Sequence, residues 1–174
     1  QPALITVRRG GRPIDAVAQV TKMGLVFLFE RETGKPLFPI EERPVPKSDV
    51  PGEELWPTQP FPVKPPPLNR LAFTEDQITN LSPEAHAAVK EVWARSRAGR
   101  IYTPPSKEGT IVHPGFRGGV LWGGCSFDPE LNLLFVNSDE NTNRITLADA
   151  GENKAWRYDL PERIRLYDPE GYPA

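Results

Sequence analysis

Two polar side chains at strand ends and one glycine-rich turn carry the chemistry legible in this chain. Lys22 sits in Thr21-Lys22-Met23-Gly24, immediately before an apolar strand. An ammonium held at a strand start can stabilise negative charge as it develops in a transition state. Asn137 closes the apolar run Leu133–Val136, and its amide offers both a donor and an acceptor without adding charge. Between them lie the pair Gly118-Gly119 and the turn Trp122-Gly123-Gly124. Glycines flanking an aromatic allow a backbone to approach a flat ligand closely. Each feature also has a plain structural reading. Lys22 fits a solvated strand-end lysine, Asn137 a strand end satisfied by its own backbone, and Trp122 a core residue beside a glycine bulge.

The other reactive side chains form no comparable constellation. His86 and His113 are far apart, with no partner at metal-ligand spacing. Asp128, in Phe127-Asp128-Pro129, reads as a turn-former rather than a base. The pairs Glu41-Glu42 and Glu53-Glu54 lie in a proline-rich stretch and read as solvated. The single cysteine, Cys125, excludes an intrachain disulfide and a cysteine zinc cluster, and reads as a small buried hydrophobe. No phosphate-binding glycine loop, nucleophile elbow or zinc motif occurs. With 21 basic and 23 acidic residues the net charge is −2, which leaves no electrostatic footprint for nucleic acid. The longest apolar run, Leu25–Phe29, is too short to span a bilayer, and the first residues lack a signal-peptide pattern.

The elements that must position these residues are mostly short strands. Ala3–Val7, Ala16–Val20, Gly24–Phe29 and Pro36–Phe38 are expected to form one four-stranded antiparallel sheet, with a tight turn at Arg31–Gly34. Ten of the 21 prolines fall between Pro39 and Pro67. That density removes backbone donors and excludes helix and central strand. Residues 39–80 therefore read as an extended excursion, draped over a surface by Trp56, Phe61 and Phe73. One helix is expected over residues 82–98, with Ser82 as cap, Pro83 at the first position, Gly99 as stop, and Ala85, Ala88, Val89, Val92 and Trp93 on one face. Short strands return at Ile101–Thr103, Thr110–His113, Val120–Ser126 and Leu133–Val136. The polar tail offers one further strand, Ile145–Leu147, and a turn at Asp168–Pro173.

Two strand-turn-strand units, Gly24–Phe38 and Gly123–Val136, repeat across the proline-rich and helical insertion. Repeated small sheets imply a β-propeller, and two blades cannot close a ring. The wording of the chain resembles the quinoprotein (PQQ-dependent) dehydrogenases, most closely the membrane-bound glucose dehydrogenase branch. The segments carrying the likeness begin with Gln19 to Gly34, Glu42-Arg-Pro-Val-Pro46 and Pro57-Thr-Gln-Pro-Phe-Pro62. They continue through Tyr102-Thr-Pro-Pro-Ser106, Gly109-Thr-Ile-Val-His-Pro-Gly115, Trp122-Gly-Gly124, Phe127-Asp-Pro129 and Phe135-Val-Asn137. Each is weak alone; their order and spacing over residues 1–140 are specific.

The resemblance implies an all-β fold with a helical insertion, part of an eight-bladed propeller. Residues 1–40 would form a blade, 41–112 the insertion, and 113–174 a blade and the start of the next. It implies a PQQ cofactor with a divalent cation, Ca²⁺ by the family's habit, and oxidation of an aldose sugar or alcohol in the periplasm. Electrons would pass to a respiratory-chain quinone or another acceptor, and segments outside this span could anchor the protein to a membrane. Lys22 would face the orthoquinone oxygens as the catalytic cation. Asn137 would bond near the quinone, and Trp122, Gly123 and Gly124 would line the cofactor. The family's catalytic aspartate and metal ligands are expected outside the span, so the isolated chain is expected to be inactive. Two competing readings are a non-catalytic propeller that serves as scaffold or binding module, and a self-contained small β domain.

Overall fold

A computed structural model of the 174-residue chain describes residues 1–120 and 123–150, together with the backbone of 158–165. The chain divides into two compact units. The first comprises residues 1–43, 58–69 and 117–139; the second comprises 44–57, 70–116 and 140–174.

The first unit is built from strands. β1 (Ala3–Arg9), β2 (Arg12–Val20) and β3 (Val26–Glu30) form a three-stranded antiparallel sheet in that order. The Gly10-Gly11 turn joins β1 to β2, with both glycines at positive φ and Arg9 paired with Arg12. The fourth strand expected at Pro36–Phe38 is reduced to one bridge between Phe29 and Pro36 and one hydrogen bond from Leu37 N–H to Leu28 O, 2.8 Å. Pro36 and Pro39 bracket that segment and supply no backbone donors, so a ladder cannot extend.

β4 (Ile40–Pro44) and β5 (Thr58–Pro62) pair as a two-stranded ribbon inside the proline-rich excursion. The prolines are compatible with pairing because of their parity. Val63 N–H bonds to Pro39 O at 2.9 Å, so odd-numbered amides of β5 face the partner strand. Pro60 and Pro62 occupy the alternate positions, where no donor is needed. Of the three aromatics expected to drape, Phe61 and Phe73 are buried, whereas Trp56 is exposed.

β8 (Cys125–Asp128) and β9 (Leu133–Val136) form a second hairpin in the first unit, in register from Cys125↔Val136 to Asp128↔Leu133. Asp128 makes its turn, accepting from the N–H groups of Glu130 and Leu131, each at 2.9 Å, while Asn132 takes φ 57°. The strand expected over Val120–Ser126 starts only at Cys125, because Gly124 adopts φ 64° and interrupts the extended backbone. Phe127 and Leu134 pack on Ile5, Ala16 and Ala18 of the first sheet. Cys125, Leu134 and Val136 pack around Val20, Val26 and Val120. Two small sheets thus share a core whose larger side chains each contribute about 1.5–3 kcal/mol by burial.

In the second unit α1 (Pro83–Ala94) is the expected helix. The Ser82 side chain accepts from Ala85 N–H at 3.1 Å, and Val89, Val92 and Trp93 pack with Phe73, Ile78 and Ile111. The helix stops at Ala94 rather than near Gly99. Residues Arg97–Ala98 become β6, parallel to β7 (Thr110–Val112), with Arg97 N–H donating to Gly109 O at 2.9 Å. The Arg97 guanidinium bridges Asp49 and Glu108, at 2.5 and 2.7 Å. Sheet pairing and two ion pairs therefore outcompete one more helical turn.

β10 (Asn143–Asp149) and β11 (Tyr158–Arg165) complete a four-stranded sheet in the order β11-β10-β7-β6. These two strands extend beyond the single strand Ile145–Leu147 expected in the polar tail. Ile101–Thr103, expected as a strand, is a turn with Tyr102 at φ 64°. The expected turn at Asp168–Pro173 lies outside the described residues.

Candidate functional site

Lys22 lies in the turn between β2 and β3. Gly24 N–H donates to Thr21 O and Thr21 N–H to Leu25 O, each at 2.9 Å. The Thr21 hydroxyl also donates to Leu25 O at 2.8 Å. Gly24 takes φ 74°, a left-handed conformation that disfavours a side chain. Hydrogen bonds within residues 21–25 therefore close the turn, which presents an exposed Lys22.

The Gly118-Gly119 pair then fastens the turn. Gly119 N–H donates to Lys22 O at 2.8 Å. A Cβ added to Gly118, itself at φ 88°, would lie 2.2 Å from Lys22 Cγ and 2.6 Å from Lys22 O. The lysine stem consequently lies against bare backbone, which restricts the ammonium to fewer rotamers than an unconfined surface lysine has. Gly119 O in turn accepts from Asp139 N–H at 2.6 Å. Asp139 is two residues beyond Asn137, whose side chain is exposed at the end of β9. Lys22, the glycine pair and the segment carrying Asn137 are thus joined by consecutive backbone hydrogen bonds within one compact unit.

Asn69 completes this arrangement and is not singled out by the sequence. It is 5% exposed, and its Nδ2 donates to Asp139 O at 2.9 Å. A Cβ at Gly24 would meet its Oδ1 at 2.4 Å, and one at Gly119 would meet it at 2.1 Å. Two glycines, from separate segments, therefore make the space that one amide occupies. The glycines are visible in the sequence; the amide that needs them sits at the end of the proline-rich stretch, where no periodicity points inward.

The remaining expected residues are less closely engaged. Gly123 is exposed, and a Cβ there would meet nothing within 4 Å; at Gly124 a Cβ would meet only Gln1 O, at 3.8 Å. Gly124 takes a positive φ, 64°, immediately before β8. Trp122 lies outside the described residues. Burial pushes the Cys125 thiol up, in keeping with a packed thiol rather than a nucleophile.

The second unit holds a polar cluster around His113, whose side chain is fully buried. His113 Nε2 lies 2.9 Å from Glu140 Oε2, and Nδ1 lies 2.9 Å from Thr142 Oγ1. With the ring neutral, Nε2–H donates to the carboxylate and Nδ1 accepts from the hydroxyl, the tautomer this network assigns. Arg70 approaches the same carboxylate through Nε, 2.8 Å, and its backbone N–H, 3.1 Å. Burial lowers the His113 pKa. The attraction of Glu140 opposes that shift, and the charge of Arg70 reinforces it. For Glu140, partial burial raises the pKa, but hydrogen bonds and charge from Arg70 leave it below the ordinary carboxylate value. Among the described residues, no group of three or more His, Cys, Asp or Glu side chains could hold a metal ion. No helix among them is long and apolar enough to cross a membrane.

Comparison with known proteins places this architecture. The PQQ family model, described as the β-propeller domain of glucose/ethanol/alcohol dehydrogenase, matches residues 1–168. The glycerol dehydrogenase large subunit of Gluconobacter thailandicus is 36% identical over 129 residues, covering 73% of this chain and 17% of that protein. The quinate/shikimate dehydrogenase (quinone) of Acinetobacter baylyi is 32% identical over 138 residues, covering 79% of this chain and 17% of that protein. The quinoprotein glucose dehydrogenase of Escherichia coli is 30% identical over 143 residues, with 79% and 17% covered. The chain therefore spans 17% of the length of each of these relatives. No solved structure matches it significantly. Small packed antiparallel sheets, one inserted helix and a family match along nearly the whole sequence lead to one conclusion: the chain belongs to the PQQ-dependent quinoprotein dehydrogenase family and forms part of its β-propeller domain.

Proposed function

We propose that these residues form one wall of a PQQ site in a dehydrogenase that oxidises an aldose sugar or alcohol and passes electrons to a quinone or another acceptor. The observation that carries the reading is the pinned Lys22: its carbonyl is bound by Gly119 N–H, and its stem is seated against Gly118. The donor set fits the cofactor. PQQ is a flat, anionic orthoquinone, and an exposed ammonium and an exposed neutral amide, carried on segments that backbone hydrogen bonds join, suit such a ligand. Bound PQQ supplies the two-electron acceptor for substrate oxidation.

In this reading Lys22 holds a positive charge where negative charge grows on the quinone oxygens, so its benefit is greatest in the transition state. Asn137 orients the ligand with a hydrogen bond and leaves the local charge unchanged. Gly123 and Gly124, with Trp122, contribute backbone and ring surface to the same wall. Residues 1–40 and 113–174 belong to blades and 41–112 to an insertion between them. A divalent cation, Ca²⁺ in this proposal, and a catalytic carboxylate come from other parts of the parent protein. The parent works in the periplasm, where periplasmic substrate and a membrane quinone pool are both within reach.

The test is reconstitution of the full-length parent with PQQ and Ca²⁺, followed by assay with aldoses and alcohols and an artificial electron acceptor. Turnover with at least one substrate is expected. Lys22→Ala should lower kcat by about 10²-fold or more, as for loss of a charge-stabilising group, while the melting temperature stays near that of the parent. No turnover across a broad substrate panel would overturn the proposal.

A further inference from the structure

We propose that Asn69 is a positioning residue for the PQQ wall: its buried amide locks the Lys22 turn and the segment bearing Asn137 onto the Gly118-Gly119 ribbon. The inference rests on the reading of Lys22 and Asn137 given above, and adds the residue that sets their mutual placement.

Three observations converge on Asn69. It is 5% exposed although it borders a proline-rich excursion in which most side chains face solvent. Its Nδ2 donates to Asp139 O at 2.9 Å. The space for its side chain exists only because Gly24 and Gly119 lack Cβ atoms, which would stand 2.4 and 2.1 Å from Oδ1.

Those contacts involve each segment the site needs. Gly24 ends the turn that presents Lys22, and its carbonyl accepts from Leu68 N–H at 2.9 Å, one residue before Asn69. Gly119 binds Lys22 O on one side and Asp139 N–H on the other. Asp139 is bound through its N–H by Gly119 and through its carbonyl by Asn69. Rotation of the 137–139 segment about either peptide group would therefore break a bond. An apolar residue of similar size would fill the space but lose the hydrogen bond to Asp139 O. A carboxylate would fill it and repel that carbonyl. An amide at this position fits the space and donates to Asp139 O, so the separation between the Lys22 ammonium and the Asn137 amide is held before the ligand arrives.

Asn69 has no direct part in the chemistry, so its removal should appear as loss of preorganisation. The experiment uses the full-length parent, prepared without cofactor and titrated with PQQ by absorbance, with melting temperatures measured in parallel. Three variants are compared with Lys22→Ala: Asn69→Ala, the near-isosteric Asn69→Asp, and Val89→Ala in the separate helical core as a stability control. Both Asn69 variants should weaken PQQ binding by about tenfold or more, the scale on which small misplacements act. Val89→Ala, even with an equal loss of melting temperature, should stay within about twofold of the parent, as expected of an uncoupled site.

If the Asn69 variants bind PQQ as the parent does while Lys22→Ala does not, the positioning role is overturned and the Lys22 reading stands. If Lys22→Ala both binds PQQ normally and keeps the parent's kcat, the reading of the wall itself fails. If neither Asn69 variant folds, Asn69 is a structural staple and the positioning role is likewise overturned.

Discussion

Replacing His113 by phenylalanine separates what its ring does by packing from what it does by hydrogen bonding. Phenylalanine keeps the buried ring volume against Phe73, whose ring centre lies 6.2 Å away. It deletes the bonds to Glu140 and Thr142, each 2.9 Å. Thr142 is 3% exposed, so its hydroxyl would lose its partner where water cannot easily replace it. Leaving a buried hydroxyl unpaired costs about 1–3 kcal/mol. The bond to Glu140 is charge-assisted, but the carboxylate is 40% exposed and also held by Arg70, so its share is nearer 1 kcal/mol. The expected loss is about 2–4 kcal/mol, read as a lower urea midpoint at neutral pH.

The pH dependence gives the sharper test. Burial keeps the folded His113 pKa below its ordinary value of 6.5, while the unfolded chain titrates near that value. On acidification the unfolded state takes up the proton first, so stability falls as pH drops below 6.5 and continues to fall until the folded pKa is passed. The attraction of Glu140 offsets only part of this effect of burial, and the charge of Arg70 adds to the lowering. The folded pKa of Glu140 lies below 4.5, so its contribution is present above that value and is lost as pH falls through the lower folded pKa. Urea unfolding across this range should show a stability slope below 6.5 in the wild type that His113→Phe flattens, followed by a fall common to both. A wild-type protein equally stable above and below 6.5, or a phenylalanine variant that keeps the slope, would show that His113 is not the titrating group.

Two further substitutions test local claims. Gly118→Ala forces a side chain into φ 88° and against Lys22 O, so it should destabilise by about 1–3 kcal/mol in urea unfolding and weaken PQQ binding; an unchanged midpoint would mean the turn and ribbon are not in contact. Ser82→Ala removes the bond to Ala85 N–H and should cost about 1 kcal/mol, whereas Ser82→Asp should retain most of the stability; equal losses in both variants would count against a capping role.

Much of the candidate site was legible because its determinants are local. The Thr21–Gly24 turn needs a glycine at positive φ, and Ser82-Pro83 with one apolar face suffices to start a helix. The family wording also survives as short ordered motifs that a single chain displays. Other features depended on partners distant in sequence. The helix ends early because Arg97 finds Gly109, Asp49 and Glu108. The excursion forms a ribbon because its prolines fall on the outward-facing positions of β5, a parity that matters only once β4 lies alongside. His113 looks isolated until Glu140 and Thr142 reach it across 27 and 29 residues.

From the sequence alone come the family wording, the strand-rich class and the helix start, since propensity, capping and motif order act over a few residues; Lys22 and Asn137 stand out only through the resemblance that this wording carries. Tertiary structure decided how those two segments are joined: by a hydrogen-bonded glycine ribbon and by Asn69 filling the space that Gly24 and Gly119 leave open. Space between segments is a property of the folded chain, and a glycine records only that something must come close.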